Sequence, residues 1–316
     1  MAETSRTTYL SKDFIETAEG LIFAVVAPGT EQDKVLCFLR YVKAADGCKK
    51  KATEEANELL RMHYPEYLHY STVLDTSLHA VAVNRIVKHH QPRQGLQLIL
   101  RANRQDVVER DLVSLCSQFE QRGMNIAEAG VTGSLLICAQ KADSDIDLIW
   151  YDRSLFHQCR AAVKDLIEQD FLQSLQANDW QDSYARRSCD LSLSEYVWHE
   201  RRKYNKALVN GRKFDLNFID LSADVASVSY RKRGFMTLQC QVVDDSRAFD
   251  YPAEYKIAHE QIKSVVSFTA TYTGQAFTGE MIEVCGLLEH SEHGDMRIVV
   301  GATREAHGEY IKVMHD

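Results

Sequence analysis

Apolar and polar positions along the chain fall into three stretches of different rhythm. The first opens with two apolar runs, "LIFAVVA" and "KVLCFLRYV", separated by the turn-rich "PGTEQD", which is the pattern of a β-hairpin. Helical spacing follows at 53–62 and again at 104–122. In the second of these, Val108, Leu112, Leu115 and Phe119 recur at three- and four-residue steps and share one face. The segment 77–91 fits either period and is read as a helix. In the middle third a short strand at 126–131 leads to a helix from Ser134, then to a strand through "SDIDLIW". A helix at 155–169 follows, with Leu155, Cys159, Ala162 and Leu166 on one stripe. After a polar stretch come a helix at 194–208 and the strand "KFDLNFID" at 213–220. Strands alternating with helices predict a core with a mixed sheet.

The last third is β-like. "FMTLQCQVV", "VVSFTATY", "GEMIEVCGLLE", "MRIVVGA" and "YIKVM" are short runs spaced by turns, with one helix expected around 255–264. Such a set fits a small barrel or sandwich, an oligonucleotide-binding-type barrel being one candidate. The expected fold class is therefore α+β in three parts: an N-terminal α+β region (1–125), a mixed-sheet core with helices (126–230) and a β-rich C-terminal domain (231–316).

Composition narrows the function classes. An apolar fraction of 45% and a charged fraction of 26% over 316 residues are those of a soluble globular protein. The start, "MAETSRTTYLSKDF", lacks the apolar core of a signal peptide, and "LIFAVVAP" is too short to span a bilayer. A cytoplasmic protein with no membrane partner is expected. The eight cysteines are scattered without a CxxC and read as reduced, buried small hydrophobes. His290 and His293 have a metal-like spacing in "HSEHGD", but with no third partner nearby they read as a solvated turn. The net charge of −8 makes the whole chain a poor electrostatic partner for nucleic acid, and residues 231–316 are acidic as well.

Against this background two aspartates stand out. Asp145 and Asp147 lie in a run that is otherwise apolar: Ile146, Leu148, Ile149, Trp150 and Tyr151. A buried carboxylate is costly unless something positive accompanies it. Side chains alternate along a strand, so the two acids share one face with Cα atoms about 6.6 Å apart. Converging carboxylates suit a hard cation, usually Mg²⁺ where phosphates complete the shell. Upstream, Gly133-Ser134 stands between a strand and a helix. Glycine permits close backbone approach, the helix start offers N–H groups to an anion, and Ser134 can cap the helix or donate to a phosphate. Residues 135–144 leave room for two helical turns and a return loop. In "KFDLNFID", Phe214, Leu216 and Phe218 face one way, Asp215 and Asn217 the other. If this strand neighbours the first, Asp215 becomes a third carboxylate at the same cleft.

Gly-Ser, about ten residues, Asp-x-Asp and a later lone Asp on a strand form a pattern that resembles the DNA polymerase β-like nucleotidyltransferase superfamily. Here the motifs are "GS" at 133–134, "DID" at 145–147 and "FDL" around Asp215. More loosely, the chain from "DFIETAEGLIFAVV" to "GEYIKV" is similar to archaeal-type predicted nucleotidyltransferases of unassigned substrate. The resemblance implies a polymerase-β-like core, two Mg²⁺ ions, an NTP such as ATP as donor and transfer of a nucleoside monophosphate to a hydroxyl. Asp145 and Asp147 would hold both metals, Asp215 would complete the site on the hydroxyl side, and Gly133 and Ser134 would bind the phosphates. The acceptor is left open between an RNA 3′ end, a small molecule and a protein side chain. The alternative is a non-catalytic nucleotide- or RNA-binding protein that keeps the fold.

One basic segment completes the picture. "RRKYNKALVNGRK" at 201–213 holds six Lys/Arg, with Arg202 and Lys206 stacked at i, i+4 if the helix continues. Two readings stand together: a phosphate clamp for substrate, or a solvated helix face balanced by Glu195 and Glu200. Arg186 and Arg187 read as ordinary surface.

Overall fold

A computed structural model describes residues 8–187, 189–222, 228–301 and 307–315. The chain forms two compact units, and the division runs through the middle third. One unit takes the chain up to Ser117 together with Asn125–Ile149; the other takes Gln118–Met124, Trp150–Asp220 and the chain from Val228 onward. The architecture is α+β with several sheets.

In the first unit, β1 (Phe14–Thr17), β2 (Leu21–Val25), β3 (Lys34–Ala44), β4 (Gly47–Lys50), β5 (Leu68–Ser71), β6 (Thr76–Ala82) and β7 (Ile86–His90) form one antiparallel sheet. Its order is β5-β6-β3-β2-β1-β7, with β4 paired to β3. The expected hairpin is β2–β3, in register from Leu21↔Val42 to Val25↔Cys37. One face, with Ile15, Phe23, Val35, Cys37 and Leu39, packs under Ala56 and Leu60 of α1 (Thr53–His63). On the other face, Phe14, Ile22 and Tyr41 pack against Leu136 and Ile137. Each such buried side chain contributes about 1.5–3 kcal/mol.

The expected helix at 77–91 is instead β6, a 3₁₀ turn at Val83–Arg85 and β7. Leu78 and Ala80 enter one cluster while His79 and Val81 are buried on the opposite side. Because both faces are covered, the strand shows no polar alternation, and its run of apolar residues imitates a helix. Two helices follow, α2 (Pro92–Leu100) and α3 (Val107–Glu120); α3 buries Val108, Leu112, Leu115 and Phe119 as expected. The strand expected from Ile126 begins later, as β8 (Ala129–Thr132), after a 3₁₀ turn. The helix from Ser134 is a single turn, α4 (Gly133–Leu136), not the two turns expected. After it comes β9 (Ile146–Trp150), whose last residue belongs to the second unit.

The second unit carries α5 (Arg153–Glu168), α6 (Ala177–Ala185), α7 (Leu193–Arg201) and the antiparallel pair β10 (Lys206–Val209) and β11 (Arg212–Phe218). The buried stripe of α5 is Phe156, Cys159, Ala162, Val163 and Leu166, while Leu155 is half-buried. The expected helix 194–208 ends at Arg201. Asn210 and Gly211 both adopt positive φ (51° and 76°), the geometry of a two-residue hairpin turn, so 206–209 must pair with 212–215.

The C-terminal strands are β12 (Tyr230–Arg247), β13 (Ala253–Ile257), β14 (Ile262–Ser267), β15 (Met281–Ser291), β16 (Met296–Val300) and β17 (Tyr310–Val313). The helix expected around 255–264 is the β13–β14 pair. The first part of β12 pairs with β15 and the second with β13. The order β12-β13-β14-β16-β15 then returns to β12, closing a small barrel with one parallel contact, β14–β16; β17 adds to β15. Cys240, Val242, Tyr255, Val265, Ile282, Val284 and Ile298 are buried in this region. Among the described residues no helix is long and apolar enough to cross a membrane.

Candidate functional site

The candidate residues of the first unit stand on β8, α4 and β9. Asp145 directly precedes β9 and Asp147 lies within it; both are half-buried. Ile146, Leu148 and Trp150 form the fully buried back of the strand, as its alternation predicts. Ile149 and Tyr151 are buried as well, so the open part of the acidic face is its aspartate end. Gly133 has φ +68°, and a Cβ placed on it would lie 2.6 Å from Asp147 Oδ2. Any other residue would meet both left-handed strain and a clash with that carboxylate. The Gly-Ser turn and the Asp-x-Asp strand therefore touch, as their spacing suggested.

The structure corrects the reading of Ser134. The N-cap position is Thr132, whose hydroxyl donates to the Lys12 carbonyl at 2.7 Å and makes no capping bond. Ser134 lies inside the turn, its carbonyl accepting from Ala139 N–H at 2.9 Å. A single turn aligns too few peptide dipoles to make an anion site of a helix start. What remains at Gly133-Ser134 is a backbone without a Cβ beside a carboxylate.

Tyr41 of β3 also reaches this region, packing with Leu136 and Ile137. Burial raises its phenol above the ordinary range; Arg40 opposes the shift, while Asp147 and Cys48 add to it. Asp147 is thus within electrostatic reach of the N-terminal sheet.

The second unit carries its own candidate residues, on β11. Phe214, Leu216 and Phe218 are buried, while Asp215 and Asn217 are half-buried, the alternation read from the sequence. Lys206 stands directly opposite Asp215 in the β10–β11 register. Asp215 Oδ1 is buried without a hydrogen-bond partner. Just beyond the strand, Ile219 N–H donates to the Trp150 carbonyl at 3.0 Å.

The basic segment is not one helix, and Arg202 and Lys206 do not share a helix face. Arg202 caps the C-terminus of α7, pairs with Glu280 and lies over the rings of Trp198 and Phe277 at 4.4 and 4.5 Å. Lys206, on β10, pairs with the buried Glu200. Lys203, fully buried, binds Glu200 and donates to the Thr271 carbonyl at 2.8 Å. Burial disfavours the Glu200 charge, yet Lys203 and Lys206 hold its carboxyl down at about 2. Lys203 is lowered to about 8, chiefly by burial and against the pull of Glu200. Lys206 is raised despite burial, through Glu200 and Asp215. These cations are engaged inside the fold, so neither the clamp nor the solvated face describes them.

Arg187, read as surface, was missed. Burial would lower its guanidinium, but Tyr196, Glu200 and Asp215 raise it, which places a second cation near Asp215. The turn after α6, helix α7 and strand β11 bring these groups together, and no local pattern announces it.

All donors offered by Asp145, Asp147 and Asp215 are carboxylate oxygens, the chemistry of a Mg²⁺ shell completed by substrate. In the first unit, the Gly133 backbone against Asp147 fits such a group. Among the described residues no cluster of three or more His, Cys, Asp or Glu is assembled to hold a metal by itself. His293 is exposed in the β15–β16 turn. Of the cysteines read as buried, Cys37, Cys116, Cys159 and Cys240 are; Cys48, Cys189 and Cys285 are half-buried and Cys138 is exposed.

No family model and no solved structure matches the chain. The uncharacterized protein MJ1086 of Methanocaldococcus jannaschii is 35% identical to it over 343 residues, covering 96% of this chain and 98% of that one. The chain belongs to the family of that archaeal protein. The likeness extends over nearly the whole of both chains.

Proposed function

We propose that the protein is a Mg²⁺-dependent nucleotidyltransferase with a polymerase-β-like core. The observation that carries this reading is Gly133, held at positive φ with the space of its missing Cβ bounded by Asp147 Oδ2. A turn that leaves backbone exposed beside a carboxylate pair is what a nucleotide phosphate bridged to a hard cation requires. Asp145 and Asp147 are the proposed Mg²⁺ ligands, and Asp215 the third carboxylate that the motif pattern implies. Bound there, Mg²⁺ supplies charge neutralisation of the phosphates and of the leaving pyrophosphate. Gly133 and Ser134 orient the phosphate chain. The acceptor hydroxyl oxygen attacks the α-phosphorus, the α–β phosphoanhydride bond breaks and pyrophosphate leaves; Asp215 receives the hydroxyl proton.

The closed five-strand order of the barrel supports an oligonucleotide-binding-type fold there, a candidate surface for the acceptor. One observation favours the second reading, a nucleotide- or RNA-binding protein without turnover: Lys206 and Arg187 already give Asp215 a cationic environment. The two readings separate on incubation with each α-phosphate-labelled NTP, Mg²⁺ and fractionated cellular RNA, protein and metabolites. Transfer predicts label in one fraction, which names the acceptor. Saturable NTP binding with label in none supports the binding protein.

A further inference from the structure

Helix α5 carries a second pattern that the proposed site does not use. Its buried stripe is Phe156, Cys159, Ala162, Val163 and Leu166. Beside that stripe, Arg153, His157, Arg160 and Lys164 recur at steps of four, three and four, the spacing that puts side chains on one helix face. From the first of them to the last the helix rises about 16 Å. Glu168, one turn beyond Lys164, ends the basic stripe, and all of it lies within the second unit.

The four members have unequal partners. Arg153 is neutralised by Asp250 and Asp220 and lies over the Phe218 ring at 4.5 Å. Arg160 is different. Its Nε donates to the Lys203 carbonyl at 2.7 Å and its Nη1 to His157 Nδ1 at 3.1 Å, while the guanidinium lies over the Phe249 ring at 3.7 Å. Each of these partners is uncharged, and among the described residues no carboxylate forms an ion pair with Arg160. Burial lowers the guanidinium to about 10, opposed by the charge of Asp245. A cation drawn partly out of water without an ion pair has an unmet demand for an anion. Burial, helped by Arg160 and Arg153, also lowers the exposed His157 imidazole and keeps it neutral. Because His157 Nδ1 accepts, its Nε2 carries the proton and can donate. Lys164 is exposed, with its ammonium 5.7 Å from the centre of the Tyr204 ring, and Tyr204 is itself 37% exposed.

We propose that this face of α5 is a ledge for a single-stranded polynucleotide, with His157 Nε2–H, Arg160 and Lys164 receiving backbone phosphates and Tyr204 stacking an unpaired base. The inference rests on neither reading of Asp145 and Asp147. The chemistry selects the ligand: donors and cations spaced along one helix face follow a chain of phosphates, and an exposed ring at their end offers a surface to any base. The remaining N–H groups of Arg160 suit a phosphate oxygen, and Lys164 adds a mobile point charge. The whole chain has a net charge of −8, so the attraction is local to the ledge and must fall as salt screens it.

The test is fluorescence anisotropy of labelled single-stranded RNA and DNA oligomers with the full chain, repeated across a salt series. It compares the parent with Lys164→Gln, Arg160→Gln/Lys164→Gln, Tyr204→Leu and Lys263→Gln, Lys263 being an exposed lysine on β14 of the same unit. Thermal melts check folding, and the Lys164 and Tyr204 variants suffice if loss of the Arg160–Lys203 bond unfolds the double variant. Each lost phosphate contact should flatten the log–log salt slope by about 0.7. At low salt, Lys164→Gln should bind about three- to tenfold more weakly, the double variant more weakly still, and Lys263→Gln within about twofold of the parent. Tyr204→Leu should lose at least about fivefold with the slope unchanged, because stacking carries no charge. That pattern with either oligomer supports the inference. No binding of either oligomer by the parent, parental affinity in both Lys164→Gln and Tyr204→Leu, or an equal loss in Lys263→Gln would overturn it. Polyglutamate binding that depends on Lys164, with neither oligomer bound, would also overturn it and assign the ledge to an acidic protein.

Discussion

Two basic segments look alike in the sequence and behave differently in the fold. In the 201–213 segment the Lys203 side chain is 0% exposed, and those of Lys206 and Arg202 are 7% and 18% exposed. In the β3–β4 ribbon the side chains of Lys43 and Lys49 are 50% and 61% exposed. The difference lies in which carboxylates the fold brings within reach. Glu200 is three residues before Lys203, buried, and shared with Lys206 at the start of β10, while Glu280 directly precedes the barrel strand β15. A dense run of positive charge in a sequence therefore does not mark a substrate surface; its acidic neighbours in space decide.

The comparison breaks most readily at Glu200. Glu200→Ala leaves Lys203 and Lys206 buried without their shared partner and should cost about 3–5 kcal/mol, read as a lower urea midpoint. A midpoint within about 0.5 kcal/mol of the parent would mean that these cations are not held by Glu200.

Acid should reveal buried groups in both units. His79 accepts from Leu39 N–H at 2.9 Å and donates to Asn57 at 2.8 Å; His199 donates to the Glu195 carbonyl at 2.7 Å and accepts from Val313 N–H at 3.1 Å. Burial holds both imidazoles down at about 4, from an ordinary 6.5. Glu200 is held at about 2, from 4.5. Each group binds a proton more readily unfolded than folded, so each adds stability above its unfolded value that is lost as pH falls through its folded value. Thermal midpoints should fall from pH 6.5 to 4 and further from 4.5 to 2. Glu200→Gln should flatten the second window and leave the first. Persistence of the second window in that variant would assign it to other carboxylates.

At the other end of the scale, Gly133→Ala should lose about 1–2 kcal/mol through its left-handed conformation. Contact of the new methyl with Asp147 should impair nucleotide binding more than the stability loss explains. Lys49→Gln, on the β3–β4 ribbon, should change stability by less than about 0.5 kcal/mol. A larger loss would show that the exposed lysines of the ribbon are structural too.

Much of the site was legible because β9 and β11 each bury one face and leave acids on the other. Helix α1 and the stripe of α3 were legible for the same one-sided reason, whereas hairpin β2–β3, covered on both faces, was legible from the turn between its two apolar runs. Residues 77–91 misled because β6 is covered on both sides. The segment 194–208 misled because its last residues, 206–208, belong to a hairpin that Asn210-Gly211 turns back on itself. Tyr41 and Arg187 could not be read locally. Tyr41 reaches Asp147 through sheet packing across about a hundred residues, and Arg187 comes within electrostatic reach of Asp215 from the turn after α6.

The central claim is that Asp147, set against Gly133, serves nucleotidyl transfer. Pyrophosphate release from an NTP with Mg²⁺ and the labelled acceptor fraction tests it most directly, comparing the parent with Asp147→Asn. Removing charge aimed at the reacting phosphate predicts a fall of at least about 100-fold at unchanged thermal stability. Release from Asp147→Asn at the parental rate would contradict the account.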